Sequence, residues 1–214
     1  MAIEWQGVYM SKLCFGVGIS DGGYGNVPIF SKWYEMIRRV HSERYLEKYP
    51  TYRHVSVCDE WLHFSNFEEW ATPRYFENCV LDKDILSGGT KIYSPNTCCF
   101  VPEKINLLFL NSKSKEGLPL GVTVDPRKKE GTRRFVARVG CSVSKQNKHL
   151  GMFSTPEAAH KAWQLGKCSR ISEEIAWWRG QESFNPVVAE RLLYYHDRLL
   201  EASEKGIIVT SVLS

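Results

Sequence analysis

Residues 121–139 run GVTVDPRKKEGTRRFVARV, and residues 148–163 run KHLGMFSTPEAAHKAW. Gly121–Val124 and Arg134–Val139 are short strand-like stretches on either side of a charged turn, and His149–Phe153 is a third beyond a second polar turn. Thr155-Pro156-Glu157 then opens a helix, with threonine as the cap and proline in the first turn, where its missing N–H costs nothing. Ala158, Ala159, Ala162 and Trp163 fall on one side of that helix, suited to lie across a sheet. Three antiparallel strands with one packed helix are therefore expected over residues 119–168.

Alternate residues of a strand share a face. In the second strand Phe135, Ala137 and Val139 are expected to point toward the helix, leaving Arg134, Val136 and Arg138 on the solvent side. The charge is uneven along the chain. Its net value is +4, but Ser112–Leu150 holds ten Lys or Arg against Glu116, Asp125 and Glu130, so the remainder is slightly acidic. A segment of this kind either faces a polyanion or is a solvated basic surface.

These two stretches resemble APETALA2-type DNA-binding domains in several features. They share a Gly-Val first strand, a basic Phe-x-Ala-x-Val second strand, and Leu150-Gly-x-Phe153 leading to Thr155-x-Glu157-Ala-Ala159 at a helix start. The resemblance covers about 45 residues. It implies binding of double-stranded DNA through the sheet, with Arg127, Lys128, Arg133, Arg134, Arg138, Lys145 and Lys148 as contacts.

Upstream, Trp33, Met36, Ile37 and Val40 recur at helical spacing, with Ser31 as the expected cap. A strand is expected at His54–Cys58, and an aromatic helix through Trp61, Phe64, Phe67 and Trp70, closed by Pro73. Val80–Leu86 reads as a strand, Ser87–Thr90 as a turn and Lys91–Tyr93 as the returning strand. Pro102 opens a helix through Asn106 and Phe109. Residues 113–118 are polar and read as a linker. Helices with an apolar stripe at Leu192, Leu193, Tyr195, Leu199 and Leu200 follow, interrupted at residues 180–186.

Within residues 13–110, best at 52–108, a second resemblance appears. Tyr52-Arg-His-Val-Ser-Val-Cys-Asp-Glu-Trp61, Leu81-Asp-Lys-Asp-Ile85, Tyr93-Ser-Pro-x-Thr97-Cys98 and Val101-Pro-x-x-Ile105-Asn106 are similar to segments of bacteriophage HNH homing endonucleases. That resemblance implies a ββα site holding one divalent ion, Mg²⁺, on Asp82 and Asn106. Lys83 stands where the general-base histidine belongs, and Thr97 where a middle asparagine would be. An ammonium group has no lone pair for a proton. Asp84 is then left as the base or a second metal ligand, or Lys83 as a phosphate contact.

The expected fold class is α+β. Its parts are an HNH-like region (1–112, core 52–110), a linker (113–118), the APETALA2-like module (119–168) and a C-terminal helical extension (169–214). The function classes are a Mg²⁺-dependent endonuclease, a DNA-binding regulator without catalysis, and a phage protein that binds a host protein through its aromatic helices. The seven cysteines form no Cys-x-x-Cys, so reduced buried thiols are expected. His54, Cys58 and His63 are close enough for a metal cluster but sit among core-like apolar residues. No run of residues suits a membrane helix, and the opening residues lack the order of a signal peptide. The cytoplasm of the host cell is the expected location.

Overall fold

The structure, a computed structural model, describes residues 12–21, 27–109, 117–126, 134–140 and 147–213. The chain is a mixed α+β protein. β1 (Lys12–Cys14) and β2 (Gly18–Ser20) form a hairpin ahead of α1 (Val27–His41) and α2 (Glu43–Lys48). Ser31 does not cap α1 but lies within it, donating from Oγ to the Val27 carbonyl. Pro28 occupies the first turn instead, where a residue without an N–H fits.

Of the expected strand His54–Cys58 only two residues form β3 (Ser56–Val57), because His54 ends a 3-10 turn, Pro50–His54. β3 pairs in parallel with β5 (Ile92–Tyr93). After the 3-10 turn Asp59–Leu62 comes α3 (Phe64–Ala71). Trp33, Ile37, Trp61, Phe64 and Phe67 then close the first core, where the Trp33 indole N–H donates to the Trp61 carbonyl at 2.8 Å.

β4 (Cys79–Asp82) ends earlier than expected and pairs antiparallel not with Lys91–Tyr93 but with β6 (Cys99–Pro102). The cause is Asp82. Its Oδ1 accepts the backbone N–H groups of Asp84 at 2.8 Å and Ile85 at 2.7 Å, turning the chain out of the strand. α4 (Glu103–Asn106) and a 3-10 turn, Leu107–Phe109, follow β6 directly.

The second core is built from β7 (Val122–Val124), β8 (Phe135–Gly140), β9 (Asn147–Phe153), α5 (Pro156–Trp178) and α6 (Pro186–Glu204). The three strands form one antiparallel sheet in the order β7-β8-β9, with α5 across one face. Thr155 caps α5 through the Ala158 N–H, and Leu192, Tyr195 and Leu199 are buried as the stripe predicts. Gly121 is required where it stands. Its φ is +75°, and a Cβ there would lie 1.9 Å from the Trp163 ring.

The two cores share the β4–β6 hairpin. Leu81 and Phe100 pack in the first, whereas Ile85, Cys99, Val101, Ile105 and Leu108 pack in the second with the helices. The Tyr195 hydroxyl donates to the Ile85 carbonyl at 2.9 Å, and Lys104 pairs with the buried Glu174 at 3.1 Å. Packing therefore crosses the region read as a linker. The C-terminal tail closes over α5: Gln164 donates to the Ile207 carbonyl, and His160 links Leu120 to Val209.

Candidate nucleic-acid interface

On the sheet face opposite α5 stand Arg134, just ahead of β8, and Arg138 within it, both exposed. Arg138 Nη1 donates to Thr123 Oγ1 at 3.2 Å, which steadies the guanidinium over β7. Val136 lies between the two arginines in register with Thr123 and Met152. It was expected in solvent, but it is buried: a central-strand side chain flanked by long neighbours has little surface left. Phe135, Ala137 and Val139 face the α5 side as expected, Phe135 only partly covered.

A register shift between Ala137 and Arg138 changes which residue of β9 joins this face. Ala137 pairs with Gly151 but Arg138 with His149, leaving Leu150 as the extra residue of a bulge. Opposed residues share a face, and a one-residue slip exchanges faces. Lys148, expected among the contacts, is thereby set opposite Val139 on the α5 side. There it lines a small pocket with Ser169, Arg170 and Glu173. His149 takes its place beside Arg138, exposed. No sequence signal marked it, because a bulge leaves no trace in strand alternation. Arg127, Lys128, Arg133 and Lys145 lie outside the described residues.

Asp82, Lys83 and Asp84 are adjacent but do different things. The Asp82 carboxyl is buried and committed to the turn, and its pKa is raised, chiefly by burial. Lys83 Nζ stands 2.5 Å from Asp84 Oδ1. Both line an open cleft with Tyr52, His54 and Lys91. Asn106 is half-buried on α4, and among the described residues no hydrogen bond joins it to Asp82. Asp82 Oδ1 is already taken by two backbone N–H groups, and the Asp84 carboxylate is paired with the Lys83 ammonium rather than open to a cation. Among the described residues no three His, Cys, Asp or Glu side chains converge as ligands. His63 binds Asp21 at 2.7 Å instead, His54 is exposed and Cys58 half-buried. Thr97 holds its own turn through Ser94 and the Ile92 carbonyl.

No family model, curated protein or solved structure matches this chain. Cys58, Cys79, Cys98, Cys99 and Cys168 are free thiols, all but Cys58 buried; burial pushes Cys98 up to about 12. Cys141 is outside the described residues. The aromatic pairs on the last two helices divide: Trp178 and Tyr195 are buried, while Trp177 and Tyr194 are exposed. No described helix is long and apolar enough to cross a membrane.

Proposed function

We propose that the protein binds double-stranded DNA through the sheet face opposite α5, in the manner of the APETALA2-type domains its sequence resembles. The observation that carries this reading is the pair of exposed guanidinium groups, Arg134 and Arg138, on a face that α5 leaves uncovered. Four residues of strand span roughly 13 Å, which is about four base-pair steps of duplex. Three strands are roughly 10 Å wide, comparable with the ~12 Å major groove. The remaining lysines and arginines of the same basic segment supply phosphate contacts that position without specifying. The Asp82–Asp84 region has a scaffold role in this reading rather than a cleavage role.

The test is fluorescence anisotropy on a labelled duplex across a salt series. If about five basic residues meet phosphates, log K falls with log salt at a slope near −4 to −5. Arg134→Glu with Arg138→Glu should lower affinity strongly and flatten that slope by about 2. Unchanged duplex affinity in the double variant would remove the reading.

A further inference from the structure

A second cationic surface lies in the N-terminal half, and it differs in kind from the sheet because it is interleaved with aromatic rings. Tyr45 on α2 and Tyr49 at its C-terminal end have ring centroids at 4.6 Å, and the Tyr52 ring meets Tyr45 edge-on at 5.5 Å. Arg38 lies over the Tyr45 ring and Lys48 over the Tyr49 ring, at 4.8 and 5.3 Å. Tyr49 is 40% exposed. At the far end Tyr52 lines the open cleft of about 820 Å³ whose walls include His54, Lys83, Lys91 and the Gly88-Gly89 turn.

Arg44, Lys48, Arg53 and Lys91 are all exposed along this line. With Arg38, Arg39 and Lys83 they number seven cations, against Glu35, Glu43, Glu47 and Asp84. The run of rings is therefore set in a net positive field.

We infer that the Tyr49–Tyr45–Tyr52 ladder and the adjoining cleft bind a single-stranded stretch of nucleic acid, independently of the sheet. Stacking on aromatic faces needs unpaired bases, which a duplex does not offer, whereas phosphates between the bases need spaced cations. Both are present in one track. A base stacked on Tyr49 would take the place that Lys48 holds over the ring, freeing its ammonium for the adjoining phosphate. The sheet face, by contrast, offers two guanidinium groups and the single imidazole of His149, with no run of rings.

The experiment uses the full chain and a fluorescein-labelled oligothymidylate of about 12 nucleotides. An oligouridylate of equal length is the second probe, separating deoxyribose from ribose strands, and a blunt duplex is the third. Tyr49→Ala and Lys91→Glu should each weaken single-strand binding, Tyr49→Ala by about tenfold, the value of one lost base stack. Tyr49→Phe, which keeps the ring, should retain affinity and controls for folding. The sheet variant Arg134→Glu/Arg138→Glu should keep single-strand affinity whatever becomes of its duplex binding. Wild-type affinity in Tyr49→Ala, or loss of single-strand binding in the sheet variant, would overturn the inference.

Discussion

Asp82 is expected to act through its oxygen, not its charge. In Asp82→Ala two backbone donors lose their acceptor, and the N–H of Ile85 sits in the core. Each donor left dry costs roughly 1–3 kcal/mol, and release of a desolvated carboxyl offsets part, so a net loss of about 2 kcal/mol is expected. Asp82→Asn keeps the accepting oxygen and should remain within about 1 kcal/mol of wild type. The sign with pH follows from burial, which holds the Asp82 pKa above its ordinary value. The folded chain then takes the proton more readily than the unfolded chain. The cost of ionising Asp82 is absent below the unfolded-state pKa and complete above the folded-state one. Asp82→Asn should therefore compare most favourably with wild type near neutral pH, and the advantage should shrink toward about pH 4. Urea unfolding followed by tryptophan fluorescence measures this, with the slope m unchanged among the three proteins. Supercoiled plasmid with Mg²⁺ serves as the second readout and should stay intact with wild type. Equal destabilisation in Asn and Ala variants, or Mg²⁺-dependent nicking lost in both, would refute the scaffold role.

Two further outcomes follow from the packing. Gly121→Ala puts a methyl into the Trp163 ring at a positive φ; strain and overpacking together should cost roughly 2–5 kcal/mol, seen as a lowered urea midpoint. His160 is buried with its pKa lowered, burial being the main cause; Nδ1 faces the Leu120 carbonyl and Nε2 accepts the Val209 N–H. The unfolded chain takes the proton first, so stability should fall as pH drops below about 6.5. His41, also lowered by burial, acts in the same sense. Comparing urea midpoints of wild type and His160→Gln from neutral to acid pH isolates the His160 share. A pH dependence identical in the two proteins would show that His160 contributes none.

Much of the C-terminal half was legible because its signals are local. Thr155-Pro156 set the start of α5, and alternation placed Arg134, Arg138, Ala137 and Val139 on the correct sides. His149 went unmarked because a bulge is decided by cross-strand register, which one strand's pattern does not contain. In the N-terminal half the helical stripe of α1 was readable, but the partner of β4 was not. Lys91–Tyr93 and Cys99–Pro102 are both short and apolar, and only the Asp82 turn and the parallel pairing with β3 decide between them. The sharing of one hairpin by two cores escaped for a related reason. Cys99-Phe100-Val101 reads as an unbroken apolar run, and such a run is buried on both sides without saying by what.

That hairpin is a party wall. A fragment cut near residue 112 would strip Cys99, Val101, Ile105 and Leu108 of their cover, while the remainder would lose the floor beneath Tyr195. Neither piece keeps a complete core, so the halves are expected to unfold in one transition, and a sheet module grafted from this chain must bring its neighbour along.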